Sequence, residues 1–254
     1  MAVTINNAKI FNLHIGPTIS LGNLISSWDV ASVISYPRTG VTWYDLVGNN
    51  NGSMKNMSSD NFNIEADGNF IFDGSDEYVS IADDPSLDIG LNSFTVSAWI
   101  KPETGLSSYA IVANKRGIGD NIKGWRLSIK NVEGEWKIFD SGIDDGSSAK
   151  FITNGSLRYG FDWHHIVMSY TSDSRIRIYV DSVLDCSRGL YSDYGGISNN
   201  LPLEIGGTAF IGGGPSVPYR LFKVSIAQVQ FYNKDLSASE IKQDYLSSKT
   251  RFGL

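Results

Sequence analysis

The chain has 254 residues, a formal net charge of −6 and a single cysteine. It is long enough to bury a sizeable core without staples, and one cysteine excludes both a disulfide framework and a cysteine-based zinc site. No basic block marks a nucleic-acid partner, no apolar window marks a membrane span, and the opening "MAVTINNAKIF" lacks the basic and apolar regions of a secretory leader.

Aromatic residues make up 12% of the chain and glycines number 26, a mix that suits many short strands joined by tight turns. Residues 1–27 are mildly apolar, alternate weakly and break at Gly16–Pro17. They read as an N-terminal arm or edge strand ahead of one domain over residues 28–254. The stretch "GNNNGSMKNMSSDN" (48–61) reads as a polar loop. In "FDGSDEYVSIADDPSLDIGLNSFTVSAWIKP" (72–102), Gly74 permits a tight turn and Tyr78, Val79 and Ile81 enter a strand. Its last nine residues put Phe94, Val96, Ala98 and Ile100 on one face and Thr95, Ser97 and Trp99 on the other. That period of two predicts a strand, ended by Pro102.

"WRLSIKNVEGEWKIFDSG" predicts a hairpin: strand 125–130, turn 131–134, strand 135–140. Two more strands are predicted at 163–170 and 175–185, around "TSDS". "LPLEIGG" and "KVSIAQVQFYN" complete the set. Strands follow one another without long helical patterns, which predicts an antiparallel sandwich. One helix is expected, in "DLSASEIKQDYLSSK". Ser237 and Glu240 form a capping box, and Ile241 and Tyr245 share a face.

Three blocks in this order carry a family resemblance: "FDGSDEYVSI" with "FTVSAWIKP", then "WHHIVMSYTSDSRIRIYVDSVLD", then "IAQVQFYNKDLSASEIKQDY". The sequence resembles the laminin-G-like jelly-roll domain of the concanavalin A-like lectin/glucanase superfamily. The resemblance implies an all-β, antiparallel two-sheet sandwich with one short C-terminal helix. "SYPRTGVTWYDLVGNNNGSM" and the closing "LSASEIKQDYLSSKTRFGL" are similar to segments of virion proteins from tailed, especially marine, phages. That implies a structural virion component such as a capsid-decoration, fibre or tail-associated protein. Its partners would be other virion proteins and host-surface glycans, and particle symmetry makes a cyclic homo-oligomer such as a trimer the expectation.

The resemblance also leaves a structural calcium open at the sandwich edge, with Asp73 and Asp76 as its first ligands. The family places an aspartate at the start of the last long strand, where this chain has Ala227. The residues themselves read more simply as turn caps facing solvent. The E-x-D-x-x-E strand motif of the superfamily's glucanases is missing, and Glu133 and Glu135 read as solvated turn residues, so no enzyme is expected. His164 and His165 are adjacent on a strand and point to opposite faces, so they share no metal. Cys186 in "LDCSRG" has no neighbouring base and reads as an inert thiol. "GGTAFIGGGPS" has neither the lysine nor the helix of a phosphate loop.

Sugar sites use aromatic platforms beside amides and carboxylates. Tyr109, Trp125, Tyr191, Asp193, Tyr194 and Tyr219 are the candidates, three of them in the mixed loop "GLYSDYGGISNN" (189–200). A virion component, a free carbohydrate-binding lectin and, last, a glycoside hydrolase are the functions the sequence leaves in contention.

Overall fold

The computed structural model describes residues 21–103, 110–117, 123–147, 149–152, 155–171, 175–189, 195–208 and 223–254. The strands, in chain order, begin with β1 (Leu24–Asp29), β2 (Thr42–Trp43), β3 (Gly52–Lys55), β4 (Phe62–Asn63), β5 (Asn69–Phe72) and β6 (Tyr78–Ile81). Then come β7 (Phe94–Pro102), β8 (Ala110–Arg116), β9 (Lys123–Val132), β10 (Glu135–Ile138), β11 (Ser141–Asp145) and β12 (Ala149–Ile152). The last are β13 (His164–Thr171), β14 (Arg175–Val180), β15 (Val183–Gly189), β16 (Leu203–Ile205) and β17 (Val224–Tyr232), followed by helix α1 (Ala238–Ser248).

They form two antiparallel sheets. The first runs β15-β14-β13-β7-β17-β5-β4, and the second β12-β11-β9-β8-β16-β6-β3-β2 with β10 on the far end of β9. On one edge of β17, Val224–Ile226 pair with β5 while Gln228–Tyr232 pair with β1. The register shifts between Ile226 and Gln228, so Ala227 is a bulge where the partner changes. The expected boundary at residue 27 thus falls inside β1, while residues 1–20 lie outside the described residues.

Alternation decides which side chains meet. Phe94, Val96, Ala98 and Ile100 of β7 face Trp125, Leu127 and Ile129 of β9 across the inter-sheet core. Trp125 is 1% exposed and stacks on Phe231 at 5.8 Å and 13°. It is therefore a core residue, which corrects its assignment as a sugar platform: no ligand reaches a ring enclosed between two sheets.

The other face of β7 is covered as well. The capping box of Ser237 and Glu240 starts α1, whose Ile241 packs with Val167, Tyr179, Tyr232 and Leu236. Beyond it, Phe252 stacks on Trp99 at 4.1 Å and meets Trp163 at a tilt, 4.8 Å between ring centres, with Ala227 packed in the same cluster. A carboxylate in place of Ala227 would be enclosed by aromatic rings, which disfavours there the aspartate that the resemblance implies.

Two sequence expectations differ from the structure. Residues 175–185 are not one strand: Asp181 (φ 50°) and Ser182 (φ 67°) both adopt left-handed backbone and fold the segment into the β14–β15 hairpin. The polar stretch 48–61 is not all loop, because buried Gly52 and Met54 alternate with Ser53 and Lys55 and pair with β6 as β3.

Candidate functional site

β6, β8, β9, β11 and β16 bring polar residues to one rim of the second sheet. β6 ends at Ile81 and delivers Asp83 and Asp84. The Asp84 carboxylate accepts the Ser86 N–H at 2.8 Å and caps the short turn Pro85–Leu87. Hydrogen bonding from the Ser86 side chain, and then from its backbone N–H, holds the Asp84 pKa below the usual carboxylate range. β8 ends with Lys115 and Arg116. Lys115 is 2% exposed, and its ammonium donates to Asp83 Oδ1 at 2.6 Å, Leu201 O at 2.9 Å and Asn199 O at 3.0 Å.

The segment before β3 closes the same rim. Buried Asn50 donates through Nδ2 to Ser26 Oγ at 2.7 Å and Ser86 Oγ at 3.0 Å, and its carbonyl accepts the Trp28 indole N–H at 2.8 Å. Its neighbours Asn49 and Asn51 are exposed. Together Asn49, Asn50, Asn51, Ile81, Ala82, Asp83 and Asp84 line a shallow cleft of about 80 Å³. Its rigid floor and exposed amide and carboxylate rim can exchange hydrogen bonds with hydroxyl groups.

A second polar feature lies on the outer face of the same sheet. Cross-strand register aligns Phe151, Gly142, Arg126, Asn114, Glu204, Ser80, Ser53 and Thr42 in one row across eight strands. Gly142 leaves the gap over which Arg126 reaches the Phe151 ring, 5.1 Å away, while Arg116 approaches the same ring at 4.9 Å. Arg116 pairs with Asp144 at 2.7 Å and Arg126 with Asp140. Arg126 and Glu204 are 4% and 2% exposed, so the middle of this row is buried structure, and the row crosses the strands away from the rim at their ends.

Tyr109, Tyr191, Asp193, Tyr194 and Tyr219 lie outside the described residues. The residue after this part of the mixed loop is anchored at the rim: Gly195 donates its N–H to Asp145 Oδ2 at 2.8 Å. The metal candidates are placed differently. Asp73 Oδ1 accepts the Ser75 N–H at 2.7 Å, and its carboxylate hydrogen-bonds the Glu77 carboxyl, which lowers the Asp73 pKa. Burial, then the Asp73 hydrogen bond and charge, push Glu77 up. Asp76 contributes only its carbonyl, to Asn56 at 3.0 Å. Among the described residues no three His, Cys, Asp or Glu side chains converge to hold a metal, so Asp73 and Asp76 belong to no such group. This turn sits at the opposite end of β6 from the cleft.

The cleft residues are spread over positions 49–51 and 81–84. Sequence reasoning sought aromatic platforms and missed the asparagine run. Its one available signal was three consecutive amides in "GNNNGS".

A family model for laminin G-like domains, described as the concanavalin A-like lectin/glucanases superfamily, matches residues 73–242, well over half the chain. The chain belongs to this superfamily. Curated proteins give no match to the sequence. Among solved structures, the concanavalin A-like chain is similar to the binding domain of paraclostridial mosquitocidal protein 1 (TM-score 0.59, 19% identity, 88% of this chain and 52% of that one). It is also similar to a botulinum neurotoxin type C structure, a toxin that depends on interaction with two ganglioside molecules to enter cells (TM-score 0.62, 14% identity, 89% and 51%). A third is a Trypanosoma rangeli sialidase mutant with trans-sialidase activity (TM-score 0.58, 16% identity, 93% and 35%). The chain spans about half the length of the toxin structures and about a third of the sialidase. At these identities the likeness is one of fold.

Proposed function

We propose that this chain is a non-catalytic glycan-binding sandwich carried on a phage particle, where it attaches the particle to host-surface glycans. The observation that carries the reading is the rim cleft: exposed Asn49 and Asn51 beside Asp83 and Asp84, on a frame fixed by buried hydrogen bonds. Amide and carboxylate groups in a shallow depression match the hydroxyls of a sugar. A volume of about 80 Å³ takes the edge of one ring and does not enclose a polysaccharide. Such a site is weak singly, and many copies on one particle gain avidity without new contacts. The ganglioside dependence of the similar neurotoxin supports a glycan as the ligand class.

Glycoside hydrolysis needs a general acid with a raised pKa facing a second carboxylate. In the cleft, Asp84 is shifted the opposite way. The raised carboxyl of Glu77 is buried and hydrogen-bonded at the far end of β6. These features favour binding over turnover.

The particle setting rests on the phage-like segments at both ends of the domain and on one surface feature. Val33, Ile34, Val41, Tyr44, Leu46 and Val47 are each 40–62% exposed. Hydrogen bonds between Ser35 and Tyr44 lay the Val33–Ile34 turn beside them. Clustered exposed apolar side chains mark protein contacts, here with a capsid or tail protein or a symmetry mate. Mass spectrometry of density-purified particles, followed by retention of the pure protein on host polysaccharide, tests the reading. High copy number and release by competing sugar are expected. Retention by a protein found only free in the lysate would leave a free lectin. Release of reducing ends would overturn the non-catalytic assignment.

A further inference from the structure

The Lys115 ammonium has more oxygen neighbours than it has hydrogens. Asp83 Oδ1 lies at 2.6 Å, Leu201 O at 2.9 Å, Asn199 O at 3.0 Å, Asp88 Oδ1 at 3.3 Å and Asn199 Oδ1 at 3.4 Å. An ammonium donates only three hydrogen bonds. Two carboxylates, two backbone carbonyls and an amide oxygen around one buried centre form the donor set of a hard divalent cation. The two carboxylates also carry one more negative charge than the lysine neutralises. The surrounding chain is fixed for this arrangement: Asn199 Nδ2 donates to Lys115 O at 3.0 Å and Lys123 O at 2.8 Å, and Leu201 N–H donates back to Asn199 Oδ1 at 2.9 Å.

We propose that the Lys115 ammonium is the resident cation of a calcium-type oxygen cage, so that the rim is held in shape by a tethered charge and needs no divalent metal. This accounts for why the acids of the 72–102 stretch divide. Asp83 and Asp88 serve the lysine, whereas Asp73 and Asp76 cap and turn the chain and do not converge on a metal. The cage is built from three separate parts of the chain, residues 83–88, 115 and 199–201, so the one ammonium ties them together. Truncating the lysine would leave the oxygens with room for a calcium ion and for water in place of the side-chain methylenes.

The cage shares Asp83 with the cleft, but it does not rest on glycan binding, and its test reads stability and metal uptake. Thermal melts of the full chain are recorded in EGTA and in millimolar calcium chloride, for the wild type, Lys115→Ala, and Lys115→Ala combined with Asp83→Asn. The wild-type midpoint is expected to be the same in both buffers. Lys115→Ala is expected to melt roughly 10 °C lower in EGTA and to recover most of that loss in calcium. The added Asp83→Asn change is expected to abolish the recovery. Terbium luminescence should report one site in Lys115→Ala and none at that rim in the wild type. If Lys115→Ala does not fold in EGTA, refolding in calcium replaces the melt, and recovery there supports the cage. A wild-type midpoint lowered by chelator, a Lys115→Ala variant indifferent to calcium, or one that refolds in neither buffer would overturn it.

Discussion

Arg251, three residues before Leu254, staples the closing segment to the start of the sandwich. Its Nε donates to Ala66 O at 2.7 Å, Nη1 to both Asp29 oxygens at 2.9 and 3.0 Å, and Nη2 to Gly68 O at 3.1 Å. The two carbonyls belong to a turn in which Ala66, Asp67 and Gly68 all have positive φ (49°, 64° and 139°). A left-handed alanine costs roughly 1–2 kcal/mol, and the turn persists because the guanidinium fixes both ends of it. Arg251→Met keeps an unbranched apolar side chain and removes the guanidinium, whose carbon also lies 5.0 Å from the centre of the Phe252 ring. Breaking a fully buried pair costs about 3–5 kcal/mol. Here the two side chains are 17% and 18% exposed, so water recovers part. The expected loss is about 2–4 kcal/mol, a fall in Tm of roughly 5–15 °C. Urea unfolding followed by tryptophan fluorescence measures it, and a double-mutant cycle with Asp29→Asn should give a coupling of about 0.5–3 kcal/mol. A loss below about 1 kcal/mol with no coupling would refute the reasoning, because it would mean the C-terminal segment does not hold the turn.

The Asp73–Glu77 pair sets a pH dependence. Glu77 is raised in the fold, so its contribution is full at low pH and is lost as pH rises through the raised value. Asp73 is lowered, so its contribution is present above the ordinary carboxylate range and is lost as pH falls. Glu77→Gln keeps a permanent donor to Asp73, and its stability relative to wild type should grow as pH rises above the ordinary carboxylate range in chemical denaturation; a constant difference would count against the shared proton. Burial and Asp185 push the Cys186 thiol well up, so iodoacetamide should label it slowly in the folded protein and rapidly in urea. Fast labelling of the native state would contradict its placement. At Gly206 (φ 79°) an added Cβ meets the Phe72 ring. Gly206→Ala should therefore lower Tm by roughly 5 °C or more, and an unchanged melt would mean β16 sits elsewhere.

Features governed by near neighbours in the chain were legible in the sequence. The alternation of "FTVSAWIKP" placed the β7 core face correctly, because a period of two is a property of the strand itself. The Ser237–Glu240 capping box marked the start of α1 for the same reason. The β14–β15 hairpin was missed because its turn uses Asp181–Ser182 where glycine or asparagine normally announces two positive φ values. Trp125 was misplaced because an aromatic side chain near a loop looks alike in sequence whether it faces solvent or, as here, Phe94 and Phe231. The contacts of the Lys115 cage join residues 27 to 86 positions apart, and no local pattern encodes such a meeting; the asparagine cleft likewise joins residues 49–51 to 81–84.

The central claim is that the rim cleft binds sugar without turning it over. The direct measurement is a glycan array probed with the wild type and with Asn51→Ala and Asp84→Ala, in EGTA-containing buffer. Binding by the wild type to a defined set of glycans, lost by tenfold or more in both variants while each still melts cooperatively within roughly 5 °C of the wild type (Asp84 caps a turn and Asn51 accepts the Asp45 N–H), is the predicted result. No binding at all, or equal binding by the variants, would contradict it.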